Sequence, residues 1–138
     1  MLFFQCVFFI QLYFGMGELK VNLSNLQSTK GQVLLAIYDS ADSYMHTDRA
    51  VALKSIELKN VQPVDVVFSG LKPGVYAVTV VHDLNKNGKI DTNMFGVPTE
   101  PYGFSNNKRP KFRSASWDES KFSLDPNKTN ISIRLDTW

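Results

Sequence analysis

Asp83, Asn85, Asn87 and Asp91 stand at positions 1, 3, 5 and 9 of the stretch DLNKNGKID, with Gly88 at position 6. A hard cation such as calcium takes about six to eight oxygen ligands, and side chains at alternate positions of a short loop can supply several of them. Glycine at position 6 permits the sharp turn, Lys89 at position 7 would offer its main-chain carbonyl, and Ile90 would pack on the core. The ligand set read this way is Asp83, Asn85, Asn87, Lys89 and Asp91. Position 12, where a bidentate carboxylate belongs, is Met94. The same residues also suit a loop without metal. Asn-Gly is a favoured pair for a tight hairpin turn, and Asp and Asn bond to their own backbone in turns. Both readings fit the sequence.

A second set of polar residues flanks this loop: His82, Glu100, Tyr102, Ser105 and Asn106. His82 and Glu100 are the pair a hydrolase would use for acid–base work. Against this, Ser105 lies in GFSNN, not in the strained G-x-S-x-G turn of an activated nucleophile. Two histidines in the whole chain, His46 and His82, make neither a zinc site nor a catalytic array. The balance is against an enzyme. A third set is NKRPKFR, Asn107 to Arg113, with four positive charges and no acid. It suits an anionic glycan or a lipid headgroup, and equally a solvated loop.

Strands must hold these residues in place. Leu19, Val21 and Leu23 alternate with polar neighbours, the period of a half-buried strand. GQVLLAIYDS (Gly31–Ser40) is apolar on both faces, as a central strand is. AVALKSIELK changes phase between Leu53 and Ile56, which predicts a bulge or a break. Val64, Val66 and Phe68 alternate again, and GVYAVTVVHD (Gly74–Asp83) is the most β-prone stretch. Phe122 with Leu124, and Ile131, Ile133 with Leu135, predict two closing strands joined as a hairpin through DPNKTN. Pro73-Gly74 suits a type II turn, and a short helical turn fits between Ser40 and Ala50. About seven short strands punctuated by turns predict an all-β fold, a single β-sandwich.

The segment 92–117 has no convincing strand or helix, yet carries Phe95, Tyr102, Phe104, Phe112 and Trp117. Loops this long are uncommon in compact domains and often functional, and the aromatics predict an ordered loop packed on the sandwich. The rings either stack on a sugar or peptide, or fill a satellite core.

The chain has 138 residues, 43% of them hydrophobic, enough for one domain with one core. A net charge of +2 with scattered basic residues argues against nucleic acid. Met1 to Gly17 carries no charged side chain and ends with small residues at Gly15 and Gly17, before Glu18. This reads as a signal peptide over 1–17, cleaved to leave a domain over 18–138. Its apolar run is too short for a spanning helix, so no stable membrane span is expected after cleavage. The expected location is periplasmic or extracellular. Cys6 is the only cysteine and would leave with the leader.

The stretch from Gly70 to Asn107 resembles a family of exported bacterial proteins known as domain of unknown function 2141. It carries that family's G-L-x-P-G-x-Y-A turn and strand, then H-D-x-N-x-N-G-x-x-D, then G-x-P-x-E-x-Y-G-F-S-N. The resemblance implies export, a small β-sandwich and no established activity. By position it marks His82, Asp83, Asn85, Asn87, Gly88, Asp91, Glu100, Tyr102, Ser105 and Asn106. The chain departs from the pattern after Asn107. LKPGVYAV is also similar to turns of transthyretin-like and collagen-adhesin B-type sandwiches, an analogy of fold alone; the sandwich expected is transthyretin-like or immunoglobulin-like. The expectation is an exported, non-catalytic module that binds a glycan, a peptide or an envelope component, its 83–91 loop stabilised either by calcium or by its own hydrogen bonds.

Overall fold

The structure is a computed structural model that describes residues 15–138. Most of the expected leader, including Cys6, lies outside the described residues. Two sheets face each other across one core, so the all-β sandwich holds. Strands β1 (Gly17–Ser24), β4 (Val64–Leu71) and β8 (Lys128–Arg134) form one sheet in the order β4-β1-β8. The other runs β3 (Ala52–Ile56), β2 (Gln32–Tyr38), β5 (Gly74–Asp83), β6 (Tyr102–Phe104), with β7 (Phe122–Leu124) also on β5. Alternation puts Leu19, Val21 and Leu23 of β1 inside, against Val33, Leu35 and Ile37 of β2 and Val78 and Val80 of β5. All eight are essentially inaccessible to solvent.

Four local expectations are corrected. β3 has no bulge; it pairs in unbroken register from Val33 with Ile56 to Ile37 with Ala52. Its phase change arises because both faces carry apolar residues: Ala52 and Ile56 pack inward, while Leu53 points outward and is 60% exposed. DPNKTN is not a hairpin. β7 stays with β5, whereas β8 crosses to the other sheet and lies parallel to β1. Pro73-Gly74 is likewise a crossing between sheets, and Gly74 does not take a positive φ; Gly70 takes one, at 74°. Finally, the segment 92–117 is not structureless. It contains β6, a bridge between Thr92 and Pro98, and a turn at Ser105–Asn107, and its last residue opens helix α1 (Trp117–Ser120). That makes eight strands among the described residues.

The helical turn expected between Ser40 and Ala50 is present as a 3₁₀ turn at Thr47–Arg49. β1 begins at Gly17, the residue that closes the expected leader. Among the described residues no helix is long and apolar enough to cross a membrane.

Candidate functional site

β5 delivers His82 and Asp83 to its own end, where both are buried. Asp83 then organises the loop that follows. Its Oδ1 accepts the Asn87 N–H at 3.1 Å; its Oδ2 accepts the Gly88 N–H at 2.8 Å and the Gln32 side-chain amide at 2.8 Å. Burial works to raise the Asp83 carboxyl. The Gln32 amide and the N–H groups of Gly88, Asn87 and Lys86 together outweigh it and hold the carboxyl below its ordinary value. Lys86 and Gly88 both take left-handed backbone, at φ 58° and 82°. Asn87 does not, so this is not the two-residue hairpin that Asn-Gly suggests.

Asp91 closes the loop from the other side. Its oxygens accept the side-chain amides of Asn85 and Asn87, each at 2.6 Å. The amide oxygens of those asparagines accept main-chain N–H groups of Asn87 and Lys89. Glu100, 4% exposed, bridges the two arms: Oε1 takes the Leu84 N–H and Oε2 the Asp91 N–H, both at 2.9 Å. The carboxylates and asparagines expected to ligate calcium thus satisfy one another. A cation would need Asn85 and Asn87 to turn, and Met94, at the position of the bidentate ligand, is 90% exposed. Among the described residues no group of three or more His, Cys, Asp or Glu is disposed to hold a metal.

The other marked residues build the frame. His82 donates from Nε2 to the Lys30 carbonyl at 2.7 Å. Ser105, fully buried, accepts the Val78 N–H at 3.0 Å and donates to the Ser120 carbonyl. Asn106 donates to the carbonyls of Glu119 and Lys121 at the end of α1. Asn107 meets the edge of β8 with both ends of its amide, donating to Ser132 O and accepting from Arg134 N. Gly103 lies so close to β8 that a Cβ there would fall 2.7 Å from the Arg134 carbonyl oxygen. GFSNN therefore staples the long segment to both sheets.

The aromatics divide. Phe104 joins Tyr38, Tyr44 and Ala77 in a second cluster on the outer face of the larger sheet, with Tyr102 and Trp117 packed against it. Phe95 and Phe112 do not join it; each ring is 83% exposed. Phe95 sits at the tip of a finger closed by Asn93 N–H to Val97 O and by the Asn93 side chain accepting from Phe95 and Val97.

Between finger, basic segment and sheet lies an open trough of about 1010 Å³. Leu34, Ala36, Leu53 and Val81 form its floor, on the face opposite the core. Ile90, Phe95 and Val97 wall one side. Ile90, expected in the core, lines this wall. Met45 and Phe112 also border the trough, both on left-handed backbone, at φ 68° and 65°. Bulky residues rarely adopt that conformation, and strain of this kind gathers at binding sites. Sequence reasoning missed the trough, although its signal was present: β2 is apolar on both faces, and only part of its outer face is covered.

In the basic segment two of the four charges are spent. Arg109 stacks on the Tyr102 ring at 4.3 Å and donates to the carbonyls of Tyr102, Asp136 and Thr137. Arg113 grips Glu119 through two nitrogens at 2.7 and 2.9 Å. That pair and the Ser116 N–H hold the Glu119 carboxyl down at about 2. Ser116 and Glu119 form a capping box, which the spacing S-x-x-E announces in the sequence.

No curated protein and no solved structure matches the chain. Residues 21–132 match the model of the bacterial family described as "Uncharacterized protein conserved in bacteria (DUF2141)", and the chain belongs to that family.

Proposed function

We propose that the protein is an exported, non-catalytic binding module whose ligand lies in the trough on the outer face of the larger sheet. The observation that carries this reading is the trough itself. An antiparallel sheet with one face on the core commonly leaves the other polar, yet here Leu34, Leu53 and Val81 face outward beneath a hydrogen-bonded finger. The volume of about 1010 Å³ is at the top of the range for small-molecule sites, roughly 300–1,000 Å³. In this reading the 83–91 loop is a rigid wall, and Glu100 and Asp83 keep it so.

The non-catalytic part rests on how the candidate catalytic groups are used. The His82 ring is bonded to Lys30, both Glu100 oxygens hold main-chain N–H groups, and the Ser105 hydroxyl is bonded on both sides. None faces the trough. Export rests on the uncharged apolar start of the chain; residues 1–17 fused to alkaline phosphatase should yield active, exported enzyme, and a cytoplasmic, inactive fusion would count against it.

Nile red, a neutral apolar dye, tests the site. It should bind with a blue-shifted emission, and Leu53→Asp, at an exposed position of an edge strand, should abolish the signal without unfolding the protein. Equal binding by wild type and variant, or none by either, would remove the trough as the site.

A further inference from the structure

We infer that the trough takes a single-chain amphiphilic anion of the fatty-carboxylate kind, its methylene chain on the floor and its headgroup at the Lys89 ammonium. The inference rests on the trough being the ligand site and adds the class of ligand.

The side-chain charge at the rim is one-sided. Lys54, Lys89 and Arg113 are the charged residues that border the trough, and no carboxylate side chain joins them. They are not equivalent. Lys54 sends its amine to the inner side of the sheet, to the Val67 carbonyl and over the Phe68 ring. The Arg113 guanidinium is held by Glu119. Lys89 has no side-chain partner among the described residues, and it stands where β5 has run out into the 83–91 loop. An anion there meets an exposed ammonium that has no ion-pair partner among the described residues, beside the apolar wall of Ile90 and Val97.

The floor favours a methylene chain over a peptide. It is a sheet face, so its main-chain N–H and C=O groups are already paired in the ladders of β2 with β3 and β5. A peptide lying there would leave its own amides without partners, which is costly. An acyl chain has none to satisfy. The floor runs from Leu34 and Val81, at the Lys89 end, to Tyr38 and Met45, at the other. A chain along it would be held by burial alone, and each methylene removed from water tightens binding about fourfold.

The test is displacement of Nile red from the delipidated protein by dodecanoate below its micelle concentration and by dodecanol below its solubility limit, with light scattering in parallel. Dodecanoate should displace the dye at least tenfold more effectively than dodecanol. Lys89→Gln should remove that advantage while leaving dodecanol unchanged, and decanoate should be more than tenfold weaker than dodecanoate. Equal competition by acid and alcohol, with Lys89→Gln silent, would overturn the anion while leaving the trough as a site for neutral ligands. Failure of Nile red itself to bind would overturn both readings. A stable dimer that neither compound dissociates would make a second copy of the chain the occupant, and would also overturn the inference.

Discussion

Glu100 accepts the main-chain N–H of Asp91 at 2.9 Å, and with its other oxygen it holds Leu84 at the same distance. One buried carboxylate thus ties the far arm of the 83–91 loop to the residue that follows β5. Glu100→Gln keeps the size but turns an amide N–H₂ toward one of these donors. A buried donor left unsatisfied costs about 1–3 kcal/mol. The unfolding free energy should fall by that amount and the denaturant midpoint with it, and the amides of Leu84 and Asp91 should exchange faster with solvent. An unchanged midpoint would mean that the loop is held elsewhere.

Acid should find Asp83 next. Its folded carboxyl lies below the ordinary value of 3.8, so its contribution is complete above that pH and is lost as pH falls through the folded value. Asp83→Asn removes the charge-assisted bonds and should cost about 2 kcal/mol near pH 7. Measured by denaturant unfolding from pH 7 to pH 2, the gap between variant and wild type should stay constant above pH 4 and narrow below it. A gap that does not depend on pH would contradict the assignment.

Two glycines of the family pattern should respond in opposite ways to alanine. At Gly103 a Cβ would meet Ile133 at 2.6 Å and the Arg134 carbonyl at 2.7 Å, a collision with backbone that cannot move freely. Gly103→Ala should destabilise by about 1–3 kcal/mol. Gly74 has ordinary φ, and its nearest contacts are the Tyr76 ring at 3.7 Å and the Lys72 carbonyl oxygen at 4.0 Å. Gly74→Ala should be neutral or stabilise by about 0.4–1 kcal/mol, because it restricts the unfolded chain. Thermal or denaturant unfolding decides; marked loss at Gly74 would restore the type II turn that the sequence suggests.

The inner face was legible in the sequence because burial leaves a period of two: Leu19, Val21 and Leu23 announce β1 without help. What could not be read was which strand joins which sheet. β7 and β8 have the same apolar alternation whether they form a hairpin or part company, and DPNKTN suits either. β6 was invisible for another reason. Three residues are too few for a period, and Tyr102–Phe104 is a strand only because β5 lies beside it. At the site, His82, Asp83, Asn85, Asn87, Asp91 and Glu100 lie together at the end of β5, whereas Ser105 and Asn106 sit back beside Val78 and α1, and what each residue does depends on partners far away in sequence. Lys30 and Gln32, which hold His82 and Asp83, carry no local sign of that role.

Calcium provides the sharpest test of the loop. Asp83 already accepts three hydrogen bonds, and Asp91 accepts two amides at 2.6 Å. A cation would have to displace those donors and turn both asparagines, with only two loop carboxylates to repay the cost. A ligand that binds only the folded state raises the unfolding midpoint as its concentration rises. The midpoint should therefore be the same in millimolar calcium and in chelator. A rise with calcium that disappears in Asp91→Asn would instead place the ion among Asp83, Asn85, Asn87, the Lys89 carbonyl and Asp91. The wall of the trough would then be set by metal, and Nile red binding should weaken in chelator along with stability.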